Sequence, residues 1–250
     1  SIKIVVDCSG SMGGESILQA RQALLRALDR LRPEDHFNII LFGSFCTALF
    51  NRQEPADATH LEAAITLTRS MDANMGGTEM EKALEKALNS ASPAGMPEDI
   101  LLITDGQVWD MGAVAGKLAK KRHRVFCIGV GSAVERGVLS ALSSKTDGDA
   151  IFVSVQEDMG KKVFEHFKRM TLIPAQNPAF DFGGSKPLAV CPEKLPAVFD
   201  GDMVLGCAWF ATPPKAVSFR FDTADGSMSQ QTEVKESSAL AIALTRFAAA

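Results

Sequence analysis

The sequence predicts an α/β fold with a doubly wound, mainly parallel sheet, followed by a small β-rich C-terminal extension. Short runs that are apolar throughout alternate with helical patterns from residue 3 to about residue 170. Strands of this kind are typical of parallel sheets that are covered by helices on both faces. After residue 170 the helical period disappears and Pro and Gly become frequent. We therefore predict a domain over residues 1–170 and an extension, or part of a second module, over residues 171–250.

The elements of the first domain follow in order. "KIVVD" predicts a strand, and "ESILQARQALLRALDRL" a helix with Ile17, Leu24, Leu28 and Leu31 on one face. "FNIILF" and "CTALF" are separated by residues 43–45 and predict a hairpin, hence one antiparallel edge strand. Helices are predicted at "THLEAAITLTRS", "EMEKALEKALNSA", "MGAVAGKLAKK", "VERGVLSALSS" and "KKVFEHFKRM", and strands at "DILLITD", "RVFCIGVG" and "AIFVSV".

The extension has its own pattern. "MVLGCAWFA", "AVSFRFDT" and "SMSQQTEVK" predict strands, and the last segment, "SSALAIALTRFAAA", predicts a helix. The stretch from residue 173 to 202 has no helical period and is assigned no element.

Composition excludes some partners. The net charge is −4, whereas nucleic-acid binding needs a basic face. The charge therefore argues against nucleic acid as a main partner. No apolar run reaches the roughly 20 residues that span a bilayer. The chain begins at a core strand, so we expect a fragment whose targeting segments are missing; membrane contact would then require those segments. Five cysteines without C-x-x-C spacing favour neither a zinc site nor a disulfide framework.

Oxygen-bearing side chains follow two of the predicted strands. Asp7 ends the first strand and Asp105 ends "DILLITD". Because the carboxyl ends of parallel strands share one edge of the sheet, we expect both carboxylates there, near the point where strand order reverses. Three hydroxyl side chains join them from neighbouring loops, namely Ser9, Ser11 and Thr78.

This donor set suits a hard divalent cation. Mg²⁺ takes oxygen ligands and keeps several waters, and Mn²⁺ or Ca²⁺ are alternatives. Ser9, Ser11 and Thr78 would be neutral direct ligands, and Asp7 and Asp105 would act through waters. Such a set leaves much of the cation's charge uncompensated. It would therefore attract an anionic group from outside, most naturally a carboxylate.

Three segments carry a family resemblance. "DCSGSM", "GGT" and "TDG" resemble, in order, the elements of the metal-ion-dependent adhesion site (MIDAS) of von Willebrand factor type A (vWA) domains, which have a Rossmann-like fold. "LRPEDHFNIILFGS" and "PAVFDGDMVLGCAWF" are similar to inter-alpha-trypsin-inhibitor heavy chains and their bacterial relatives, in which a VIT domain comes first. The resemblance implies adhesion or complex assembly without enzymatic activity, with a partner protein's Asp or Glu completing the coordination.

The resemblance also bears on location and on a second function. It slightly favours an extracytoplasmic or membrane-anchored protein, whereas the odd number of cysteines argues mildly for a reducing compartment. The alternative function is an accessory subunit that docks a catalytic partner, such as an AAA+ ATPase or chelatase. Trp109, just past Asp105, is either an aromatic recognition residue or a packing residue.

Rival chemistries match less well. A serine hydrolase needs G-x-S-x-G, and "SGSMG" has Ser9 in place of the first glycine. A haloacid-dehalogenase-type phosphatase would need a carboxylate at that same position. A Walker-type P-loop, which binds nucleotide phosphates, requires the motif G-x-x-x-x-G-K-[ST], and the sequence does not contain it. In the remaining reading the site has no function: Asp7 forms a turn, and Ser9 or Ser11 caps the next helix.

Overall fold

The computed structural model describes residues 1–93, 95–106, 112–131, 134–154, 157, 159–223, 226–234 and 245–246. The chain divides into two compact units, Ser1–Thr171 and Leu172–Ala250. Each unit is described by itself.

The first unit is built on a seven-stranded sheet. Its strands are β1 (Ile2–Asp7), β2 (His36–Phe42), β3 (Cys46–Ala48), β4 (Glu54–Pro55), β5 (Asp99–Thr104), β6 (Arg124–Val130) and β7 (Ala150–Val153). The order is β3-β2-β1-β5-β6-β7, and all pairs from β2 to β7 are parallel. Both β3 and the two-residue β4 pair antiparallel with β2. The predicted fold class is confirmed.

Helices cover both faces of this sheet. They are α1 (Glu15–Leu28), α2 (Ala58–Ser70), α3 (Met80–Asn89), α4 (Gly112–Lys120), α5 (Arg136–Lys145) and α6 (Met159–Met170). Apolar side chains of α3, α4 and α5 form one core cluster with Val5, Ile40 and Leu102 of the sheet. Ile4, Ile39 and Leu101 alternate with those residues along their strands and are fully buried as well. The sheet is therefore buried on both faces, as its continuous apolar strands predict.

The path of the chain produces a switch point between β1 and β5. From β1 the chain moves to β2 on one side, and it later returns to β5 on the other side of β1. The two crossovers leave a crevice at the carboxyl ends of β1 and β5, which is the usual place for a binding site in open α/β sheets. Helix α1, which follows β1, buries Ile17, Leu24 and Leu28 as predicted and ends before Leu31.

The described residues of the second unit form three small antiparallel sheets. Its strands are β8 (Gln176–Asp181), β9 (Ala189–Cys191), β10 (Met203–Val204), β11 (Cys207–Trp209), β12 (Ala216–Thr223), β13 (Gly226–Glu233) and β14 (Thr245–Arg246). The sheets are β13-β12-β8, β9 with β11, and β10 with β14. A small core joins Val198, Val204, Phe219 and Phe221. Among the described residues this unit is all β.

Three sequence expectations for this unit differ from the structure. Strands β8 and β9 lie in the Pro- and Gly-rich stretch that was assigned no element. The single strand predicted at "MVLGCAWFA" is divided into β10 and β11, and Gly206 between them is so close to Phe180 that a Cβ would lie 2.5 Å from its ring. Where a helix was predicted in the last segment, Thr245–Arg246 forms a strand; the other residues after position 234 lie outside the described part.

In the part of the chain that the structure describes, no helix is both long and apolar enough to cross a bilayer.

Candidate metal centre

Asp7 is the central side chain of the crevice. It is the last residue of β1 and is fully buried. Its Oδ1 accepts a hydrogen bond of 2.9 Å from the backbone N–H of Ser9, and its Oδ2 accepts one of 2.7 Å from the hydroxyl of Thr104, the last residue of β5. Both carboxylate oxygens are thus held by bonds from the two strand ends that form the crevice.

The electrostatics at Asp7 disfavour a bare negative charge. Burial raises the pKa of the Asp7 carboxyl above its ordinary value, the hydrogen bonds from Ser9 and Thr104 oppose that shift, and the charge of Asp105 adds to it. Asp105 follows β5 directly and is 4% exposed. The backbone brings the two carboxylates close enough to interact, so a cation nearby would relieve their repulsion.

The two serines lie in the segment that follows β1, where residues Gly10–Met12 form a short 3₁₀ turn that contains Ser11. Ser9 precedes the turn, and its side chain makes no capping hydrogen bond. The hydroxyl oxygens of Ser9 and Ser11 are instead 3.1 Å apart. Helix α1 starts after Gly14, so neither serine caps it. The capping reading of these serines is therefore wrong.

The loop that carries Thr78 is hydrogen-bonded to the serine segment. The N–H of Gly10 donates to the carbonyl of Gly76 at 2.7 Å, and the N–H of Met75 donates to the carbonyl of Cys8 at 3.0 Å. Thr78 itself is partly exposed and lies two residues beyond Gly76. These backbone bonds join the loop just before Thr78 to the segment that carries the serines.

The β2–β3 turn supports the same loop from its other side. Ser44 donates its N–H to the carbonyl of Met75 at 2.7 Å, and its hydroxyl accepts the N–H of Gly77 at 2.7 Å. Gly76 has a φ of +79°, and a Cβ there would lie 2.6 Å from the Ser44 hydroxyl oxygen. Only glycine meets both the backbone conformation and this close approach.

Two residues that sequence reasoning did not single out therefore help to build the site. Thr104 precedes the predicted ligand Asp105, and a hydroxyl at the end of a buried strand was a signal that could have identified it. Ser44 had no comparable signal, because its role depends on where the β2–β3 turn meets the Thr78 loop.

The donor chemistry fits a hard divalent cation. Two adjacent ligands of an octahedral Mg²⁺ lie about 3 Å apart, given metal–oxygen distances of about 2.1 Å. The Ser9 and Ser11 oxygens have nearly that separation. The described residues include no group of three or more His, Cys, Asp or Glu side chains arranged to hold a metal. The predicted site is not a group of that type, because it has two carboxylates and its other three donors are hydroxyls. Residues 107–111, including Trp109, lie outside the described part.

Comparison with known protein families agrees with the fold. A family model described as "von Willebrand factor type A domain" matches residues 1–166. Two Dictyostelium discoideum proteins named as von Willebrand factor A domain-containing are 26% and 31% identical to the chain, over 80% and 79% of its length but only 22% and 10% of theirs. Mouse von Willebrand factor A domain-containing protein 5B1 is 28% identical over 81% of the chain and 17% of its own length. The chain spans about a fifth of the first of these relatives.

Solved structures show the same fold. A von Willebrand factor type A protein from Catenulispora acidiphila aligns with a TM-score of 0.59 at 18% identity, covering 93% of this chain and 65% of that one. Proximal thread matrix protein 1 from the mussel byssus, described as having a zinc-occupied MIDAS motif, aligns with a TM-score of 0.55 at 15% identity, covering 75% and 50%. At these identities the likeness concerns the fold alone.

Proposed function

The chain belongs to the von Willebrand factor type A domain family, and from this premise we propose that it is a metal-dependent protein-binding domain rather than an enzyme. Domains of this family generally serve in protein interaction and adhesion. The proposed metal is Mg²⁺, with Mn²⁺ or Ca²⁺ as alternatives, and the proposed partner is a protein that presents an Asp or Glu side chain.

The observation that carries the proposal is the pair of hydroxyl groups of Ser9 and Ser11, 3.1 Å apart above a buried carboxylate. Neither hydroxyl is used to cap a helix. Ser9, Ser11 and Thr78 would hold the cation, and Asp7 and Asp105 would orient its waters. The MIDAS motif that is metal-occupied in the mussel protein supports a metal at this place in the fold.

When bound, the cation would supply a positive charge that its direct ligands, three neutral hydroxyl groups, do not balance. The chain's own residues then do three things. Asp7 holds the serine turn through the N–H of Ser9, Thr104 orients Asp7, and Ser44 holds the Thr78 loop against the serine turn. A carboxylate from a partner protein is the group that best complements such a site. We also propose that, within the family, the chain is most similar to the vWA domains of inter-alpha-trypsin-inhibitor heavy chains and their bacterial relatives.

The metal site is tested by calorimetric titration of the chain with Mg²⁺ and with Mn²⁺. We expect Ser9→Ala and Ser11→Ala each to weaken binding at least tenfold. Ser70→Ala is the matched control, because the Ser70 hydroxyl lies at the exposed end of α2 and only donates to the carbonyl of Leu67. If both site variants bind the metal as the wild type does, the proposed ligands are wrong.

The partner's chemistry is tested separately, on immobilised protein. Peptides that contain Asp or Glu should be retained in Mg²⁺ and released by EDTA, whereas the same peptides with Asn or Gln should not be retained. Equal retention of both sets, with metal binding intact, would contradict the carboxylate mechanism and leave the metal site standing.

A further inference from the structure

The second unit brings two distant cysteines face to face. Cys191 ends β9 and Cys207 begins β11, and these antiparallel strands place Cys191 directly opposite Cys207. Side chains that are directly opposite in an antiparallel pair lie on the same face of the sheet. We propose that Cys191 and Cys207 are a redox-active pair that forms a reversible cross-strand disulfide by exchange with small-molecule disulfides such as glutathione disulfide.

The backbone geometry suits such a bond. Directly opposite residues of an antiparallel pair have Cα atoms about 4.5 or 5.5 Å apart, depending on whether the pair is hydrogen-bonded. Disulfides join residues whose Cα atoms are about 4.4–6.8 Å apart. Either kind of pair therefore permits the bond without a change of strand register.

The pair is also accessible to a dissolved reagent. Cys191 is exposed and Cys207 is partly exposed, and both are free thiols in the structure. Their face of the two-stranded sheet also carries Ala189 and Trp209, which are exposed too. A small disulfide can thus reach either sulfur from solvent.

The other thiols of the chain are less reactive. Cys8 and Cys127 are buried, and burial raises the pKa of each to about 12, which suppresses the reactive thiolate. Cys46 is half-buried, and burial raises its pKa too. The exchange should therefore be selective for the second unit.

The reaction balances without a metal or a cofactor. The thiolate of one cysteine attacks glutathione disulfide, so the glutathione S–S bond breaks, a mixed disulfide forms and one glutathione thiolate leaves. The second protein thiolate then attacks the protein sulfur of the mixed disulfide and displaces the other glutathione. The two protein thiols are oxidised, glutathione disulfide is reduced, and the two protons pass to the two glutathione thiolates.

The test uses the whole chain, reduced and then equilibrated with mixtures of reduced and oxidised glutathione. We expect the protein to lose two of its five thiols and two hydrogen atoms of mass, with the peptides of Cys191 and Cys207 joined. Because the neighbouring thiol acts at an effective concentration of about millimolar or more, the glutathione adduct at Cys191 should be about tenfold or more abundant in Cys207→Ser than in the wild type.

Cys46→Ser is the matched control and should form the disulfide as the wild type does. The proposal is overturned if Cys191 carries the same amount of adduct in the wild type and in Cys207→Ser. It is likewise overturned if all five thiols stay free, or if the disulfide joins other cysteines. None of these measurements depends on metal binding in the first unit.

Discussion

The hydroxyl of Thr104 donates a 2.7 Å hydrogen bond to Oδ2 of Asp7, and this bond joins the ends of two neighbouring parallel strands beneath the proposed metal site. Thr104 also accepts the N–H of Gly106 at 2.9 Å, so the same hydroxyl orients the turn that carries Asp105. The two proposed acidic residues are thereby coupled through one buried side chain.

Thr104→Val should disturb the metal site without touching a proposed ligand. The variant loses a hydrogen bond to a charged group, worth about 1.5–3 kcal/mol in the free energy of unfolding. Loss of an orienting partner typically lowers metal affinity about 10- to 100-fold. Calorimetry with Mn²⁺ and urea unfolding measure the two effects.

Thr68→Val is the control for this substitution. Thr68 is also fully buried, but its hydroxyl donates to the carbonyl of Ala64 within α2. We expect Mn²⁺ affinity to be unchanged in this variant. Equal losses of affinity in the two variants would mean that the Thr104 hydroxyl has no special role.

Asp7→Asn should separate stability from metal binding. The carboxylate is fully buried near Asp105, whereas asparagine removes that charge and keeps an oxygen that can accept the N–H of Ser9. Its amide nitrogen takes the place of Oδ2 and can donate to the hydroxyl oxygen of Thr104, so a hydrogen bond to Thr104 is kept with its direction reversed. In EDTA at pH 7 we expect a urea midpoint at least as high as that of the wild type. Saturating Mg²⁺ should raise the midpoint of the wild type by mass action and leave that of the variant unchanged. A variant that gains as much from Mg²⁺ as the wild type would rule out a role for the Asp7 charge.

Ser44→Ala should weaken metal binding through the Thr78 loop. The variant loses the acceptor of the Gly77 N–H, a hydrogen bond worth about 0.5–1.5 kcal/mol. If that loss falls entirely on the metal-bound arrangement, Mg²⁺ affinity decreases by about 2- to 13-fold. Ser44→Thr keeps the hydroxyl and should recover most of the affinity. Titration calorimetry of both variants measures this, and failure of threonine to rescue would contradict the hydrogen-bond argument.

Acid should destabilise the first unit through a buried cluster at the end of the sheet opposite the metal site. Lys3, which is fully buried, and His123, which is 5% exposed, both contact Glu98, and Nζ of Lys3 is 3.1 Å from Nε2 of His123. Burial lowers the pKa of His123 from its ordinary value of 6.5, and the charge of Lys3 lowers it further. The carbonyl of Lys121 contacts the other ring nitrogen, Nδ1.

The lowered pKa of His123 determines how the free energy of unfolding changes with pH. Between pH 6.5 and the lower pKa of the folded state, the unfolded chain binds a proton that the folded chain does not, so the free energy of unfolding decreases as the pH falls. His123→Gln should reduce the difference between urea midpoints at pH 7 and pH 5. Some difference should remain, because burial also lowers the pKa of His166. An unchanged difference in His123→Gln would contradict the assignment.

The residue pattern by itself determined the architecture of the first unit and the candidate donors. Continuous apolar strands that alternate with helices allow few arrangements other than a covered parallel sheet. In such a sheet the residues after β1 and β5 must emerge at one edge, so Asp7 and Asp105 could be paired from the sequence alone. The pattern was less informative in the second unit, where frequent Pro and Gly obscured β8 and β9.

Only the tertiary structure decided which side chains touch. The bond from Thr104 to Asp7 spans 97 positions, and the bond from Ser44 to Gly77 spans 33. The register that sets Cys191 opposite Cys207 likewise depends on two short strands and on the turns between them. Periodicity reports which face of an element is buried, because burial repeats along the element. It contains no information on strand register or on loop-to-loop contacts, which arise only when the whole chain packs.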